Sequence, residues 1–211
     1  METLLAAALW EQAGQHDRAA ALLVEVGRNS GGALGMREDV LRRAIRLAPN
    51  DDSAAVALVQ VLTLAGRAEE AREEGDPLLA RLRAGDPRRA ELALMLARAC
   101  HVAAHPEEAF RYLRLAGGGD AVGALAAHVA FAQQRPNLAR RFASSVVRSK
   151  QPEVRCEALE ILGPVARLEG RRSDAERAFT EACGGSSPRA SGLERACAPR
   201  VRNTRSAGTR T

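Results

Sequence analysis

The chain has 211 residues, of which 46% are hydrophobic and only 3% aromatic. Alanine and leucine dominate while β-branched residues are scarce, a composition that favours helix and argues against a β-rich fold. The net charge of +5 is that of one end: Gly184–Thr211 holds six arginines against Glu194, so Met1–Cys183 is neutral and carries no signal for nucleic acid.

The chain opens with METLLAAALWEQ, which carries Glu2 where a secretory leader has basic residues and has no small-residue cleavage site after it. It reads as a helix to Ala13, turned at Gly14-Gln15 into a second helix from His16 through Val26. Arg37–Ala48 follows as an amphipathic helix stopped by Pro49, with no helix of its own to pair with, and is expected as an irregular extra element. Leu58, Val61, Leu62 and Ala65 then form one apolar stripe, Gly66 supplies a left-handed turn, and Ala68 opens the next helix. Within that helix Gly75-Asp76-Pro77 predicts a kink, or a stop with Asp76 capping a restart at Pro77.

Asp86-Pro87 repeats the cap signal before Arg88–Ala104, and Pro106–Ala116 follows. After Gly117-Gly118-Gly119, with Asp120 as the expected N-cap, come Ala121–Gln134 and Pro136–Ser149. The last two helices are predicted over Pro152–Leu168 and Arg172–Cys183. No apolar run approaches the roughly 20 uncharged residues a bilayer span needs, and no membrane segment is expected. From Gly184 the sequence loses apolar periodicity and reads as a disordered basic tail, the kind of shift that a truncation or reading-frame change leaves.

The unit Ser53–Leu82, with its helix, glycine turn and Ala68-Glu69-Glu70-Ala71 opening, resembles the tetratricopeptide repeat of about 34 residues. Ala19, Ala71, Ala109, Ala139 and Ala175 hold the small-residue position of five such units, and Trp10 and Leu62 stand at the large position of the first two. The expected fold is all-α, an irregular right-handed TPR-like solenoid of antiparallel helix pairs over residues 1–183, with the extra helix at about 37–48. Ala90–Ala116 and Cys156–Cys183 are similar to the central repeat region of large ATP-binding regulators of the LuxR family. That resemblance implies a sensor or scaffold segment of a transcriptional regulator. The chain lacks the G-x-x-x-x-G-K-[ST] phosphate loop of such regulators and any helix-turn-helix in its polar tail.

Catalytic chemistry has little to rest on. Cys100, Cys156, Cys183 and Cys197 form no C-x-x-C pair, and a reducing, cytoplasmic setting is expected. His101 and His105 share a helical face if their helix continues, but no further ligands complete a zinc site. Gly117–Gly119 lacks the preceding strand and lysine of a phosphate cradle. No catalytic residue, cofactor or metal is therefore expected. The resemblance to tetratricopeptide arrays implies instead a concave groove for a protein or peptide. It is lined by Gln60 and Thr63, Arg98 and His101, His128 and Phe131, and Glu160 and Arg167, with Phe131 as the apolar anchor. The last unit has no capping helix after it, so the face carrying Phe179 is expected to be partly exposed and open to self-association.

Overall fold

The computed structural model describes residues 2–29 and 33–184, and of Cys183 and Gly184 the backbone alone. Among these residues lie eleven helices and no strand. They are α1 (Glu2–Gln12), α2 (His16–Asn29), α3 (Leu34–Leu47), α4 (Asp52–Leu64), α5 (Ala68–Arg81) and α6 (Pro87–Val102), then α7 (Pro106–Ala116), α8 (Asp120–Ala132), α9 (Pro136–Val146), α10 (Pro152–Leu168) and α11 (Arg172–Gly184). The tail from Gly185 lies outside the described residues.

Five of the turns share one construction. A residue in the left-handed region ends the helix at Gly14, Gly66, Ala104, Gln134 and Gly170. The next amide then reaches back five residues, as from Arg67 N to Leu62 O (3.0 Å) and from Arg171 N to Ala166 O (2.9 Å). This is the hydrogen bond of a Schellman ending, and it returns the chain antiparallel with few residues spent. The alanine that follows five residues later is buried in every unit: Ala19, Ala71, Ala109, Ala139 and Ala175. A small side chain there lets paired helices approach closely.

The pairs stack in a line. Each even-numbered helix from α2 to α10 packs on the next even-numbered one, while the odd-numbered helices pack between them. Helices that touch their own kind lie on the inside of a curve, and those that diverge lie on the outside. The inner face is thus built by α2, α4, α6, α8 and α10. The helix that the sequence left without a companion, α3, packs against both α2 and α4.

Three local expectations are corrected. First, α5 runs through Pro77 as one helix, so the stop and restart that Asp76-Pro77 allowed do not occur. Its last turns are held by buried Leu78, Leu79 and Leu82, and Asp76 caps nothing. Its carboxylate accepts instead from the Tyr112 hydroxyl of α7 at 2.7 Å. Second, Asp120 lies within the first turn of α8, and Gly119 holds the N-cap position with no side-chain hydrogen bond. Third, Trp10 does not occupy a core position like that of fully buried Leu62. It is 37% exposed, with the Arg18 guanidinium 4.9 Å over its ring. Among the described residues α1 packs mainly on α2 and buries Ala7 alone, so most of its large side chains face outward. Asp86 caps α6 as Asp86-Pro87 predicts, and Asp51 caps α4 without having been anticipated; each carboxylate accepts from the amide two residues on at 2.9 Å.

Candidate functional site: the inner face

Four successive inner helices carry the residues expected to line a groove. Gln60 is exposed on α4, and the Thr63 hydroxyl donates back to the Val59 carbonyl at 2.8 Å. On α6, Arg98 is exposed and His101 half-buried. The His101 ring lies 6.2 Å from that of His128 on α8, so the structure brings these two together across the junction of neighbouring units. Burial holds the His101 imidazole below its ordinary value of 6.5, which keeps it neutral at neutral pH. Glu160 is half-buried and Arg167 exposed on α10.

Phe131 is half-buried and packs against the apolar cluster that includes Ala127, Ala130 and Ala139. It belongs partly to the core, and only its outer portion is available to a ligand. His101 and His105 do not share a helical face, because α6 ends at Val102 and His105 precedes α7. His105 Nε2 instead lies 3.6 Å from Glu69 on α5. Among the described residues no three His, Cys, Asp or Glu side chains converge as metal ligands. Cys100 is fully buried, and its thiol is pushed up to about 11 by that burial, the opposite of what an activated nucleophile needs.

Sequence reasoning missed the rim of this face. Leu64, Val102 and Leu168 end three inner helices and are 60%, 71% and 69% exposed. Each stands two residues before the left-handed turn residue of its unit, and Ala132 holds that place in α8. The offset from the turn was the available signal. Aliphatic side chains at one repeated position give the inner face an apolar edge beside its polar and imidazole groups.

No family model matches the chain, and no curated protein matches it. Among solved structures it is similar to YrrB, described as a TPR protein with an unusual peptide-binding site. The TM-score is 0.60 at 16% identity, over 86% of this chain and 89% of that one. A likeness at this identity speaks for the fold. The chain is an all-α solenoid of the tetratricopeptide-repeat kind.

Proposed function

We propose that this protein is a non-enzymatic scaffold that holds a peptide segment of a partner protein along its inner face. The observation that carries the reading is the juxtaposition of His101 and His128 across neighbouring inner helices, beside the exposed edge of Leu64, Val102 and Leu168. An extended or helical segment with aliphatic side chains would cover that edge, and its backbone would meet the polar groups of Gln60, Thr63 and the two histidines. The neighbour's description as a peptide-binding TPR protein is consistent with this use of the fold.

Selection of binders from a random peptide library against the full chain tests the reading. The expected result is a peptide bound with a Kd of about 1–100 μM, weakened at least about tenfold by His128→Glu or by Val102→Asp with helicity unchanged. Peptides that bind undiminished to both variants would overturn it.

We further infer a narrower role as the repeat segment of a LuxR-type regulator working in the cytoplasm, from the likeness of Ala90–Ala116 and Cys156–Cys183 to that family's repeats. ATP binding and promoter recognition would then reside in sequence adjoining or encoded beside this chain. An adjacent reading frame with a phosphate-loop ATPase or a helix-turn-helix is the expected observation. Neighbouring genes without either leave a stand-alone repeat adaptor as the better description. Among the described residues no helix is long and apolar enough to cross a membrane.

A further inference from the structure

The outer layer holds a second surface whose chemistry differs from that of the inner face. Because the outer helices diverge, neighbouring ones are linked mainly by side chains, and charged pairs bridge most of these junctions. Arg43 of α3 pairs with Glu11 of α1 (Nε to Oε2 3.0 Å). Arg42 of α3 pairs with Glu74 of α5 at 3.3 Å, and Arg67, just before α5, pairs with Glu38 of α3. Between α5 and α7, Asp76 lies 3.8 Å from Arg111 and accepts from Tyr112. At the junction of α9 with α11, Arg140 of α9 pairs at 3.0 Å with Glu169, which caps the end of α10 just before the turn into α11.

The junction of α7 with α9 is the exception. Aligned on the left-handed turn residues Ala104, Gln134 and Gly170, Phe110 stands where the next unit has Arg140, and Gln133 stands where it has Glu169. The ion pair is replaced by an aromatic ring and a neutral amide. An open groove of about 810 Å³ results, lined by Phe110 and Leu138 and flanked by Arg114 and Arg135. Neither arginine has a carboxylate within ion-pair distance among the described residues. The one acid lining the groove, Glu107, accepts from Gln133 Nε2 at 3.2 Å, while Gln133 Oε1 is buried with no donor. Phe110 itself lies between the two main apolar clusters of the array, its ring 6.4 Å from that of Phe142.

We propose that the groove between α7 and α9 is a second docking site, and that it takes an acidic peptide segment bearing an aromatic or large aliphatic side chain. The apolar side chain covers Phe110 and Leu138. Carboxylates of the segment supply to Arg114 and Arg135 the partners that the neighbouring junctions find within the chain, as charge-assisted hydrogen bonds. A backbone amide of the segment can donate to Gln133 Oε1. The volume is within the roughly 300–1,000 Å³ of ordinary ligand sites. This site stands apart from the inner face and does not depend on the peptide reading proposed there.

The test uses the full chain and a fluorescein-labelled probe of sequence Asp-Glu-Phe-Leu-Asp-Glu, followed by anisotropy. Controls replace its Phe and Leu by Ser, or its acids by Lys. The acidic apolar probe is expected to bind, and Arg114→Glu with Arg135→Glu to weaken it by about tenfold or more. Glu107→Gln is expected to tighten it, because a like charge leaves the groove. The inner-face variants His128→Glu and Val102→Asp are expected to leave it unchanged, which separates this site from that reading. Arg114 and Arg135 are exposed, so thermal unfolding of the double variant should match the parent. Equal binding of the Ser-substituted or Lys-substituted probe would overturn the proposal. So would no binding at all, or loss on the inner-face variants in place of the outer ones.

Discussion

A methyl group added at Gly163 would lie 2.6 Å from Phe179 Cε1 and 2.8 Å from Cζ, so α10 and α11 are in contact through a place where only hydrogen fits. Gly163→Ala is expected to cost about 1–3 kcal/mol in urea-induced unfolding, since the ring must leave a good rotamer or the helices must part. At Gly35, in α3, the same change meets nothing within 4 Å. Gly35→Ala should therefore stabilise by about 0.4–1 kcal/mol, through the unfolded chain's lost freedom and α3's helix propensity. The turns supply the complementary case. Ala104 is held at φ 61, where three of the equivalent turns have glycine. Replacing Ala104 by Gly relieves the clash of Cβ with the backbone and should gain up to about 1 kcal/mol, read as a higher Tm.

At the scale of helices, adjoining outer elements are joined by polar side chains, and the pH dependence of stability should follow from them. Arg67, and then Arg42, donate to Glu38 and hold its carboxyl below its ordinary value of 4.5 against the opposing effect of burial. A carboxylate with a depressed folded value contributes stability that is present above the unfolded value and lost as pH falls through the folded one. Unfolding free energy should accordingly decline as pH drops below about 4.5, and Glu38→Gln should flatten part of that decline in urea titrations at successive pH values. Tyr112 is fully buried, and burial together with its bond to Asp76 raises the phenol above its ordinary value of 10. It stays a donor at neutral pH, and its contribution is lost only as pH rises beyond that value. Tyr112→Phe removes one of the links between α5 and α7 and should cost about 0.5–1.5 kcal/mol, with Asp76 free to regain solvent at its exposed position.

Over the whole molecule, the two described ends of the stack differ. α11 turns Glu176, Arg177, Thr180 and Glu181 to solvent, and Phe179 is half-buried against Gly163. α1 exposes Leu5 and Leu9 at 63% and 67%, one helical turn apart. A terminal unit with a polar outer face can end a solenoid, whereas an apolar one invites a neighbour. Any self-association of the chain is therefore expected to depend on Leu5 and Leu9 more than on Phe179. Sedimentation velocity over rising concentration checks this: Leu5→Ser with Leu9→Ser should reduce association, and Phe179→Ser should lower stability without reducing it.

Helix identity, the five small-residue positions and most boundaries were legible in the sequence, because they rest on local physics: apolar spacing, proline at helix starts and glycine in left-handed turns. Ala19, Ala71, Ala109, Ala139 and Ala175 are all buried as their spacing implies. Local rules failed where a distant partner decides the outcome. Pro77 stays inside α5 because Leu78, Leu79 and Leu82 are buried against other helices, a contribution larger than one missing hydrogen bond. Trp10 lies at the surface because, among the described residues, α1 packs on α2 and buries Ala7 alone. The residues proposed for the groove rest only on their offset within the repeat. Their pairing was not legible, since the meeting of His101 with His128 depends on the packing of α6 on α8. The same holds for the open junction of α7 with α9. Phe110 and Gln133 could be read from the chain, but that they replace an ion pair is visible only once the solenoid sets Arg140 beside Glu169.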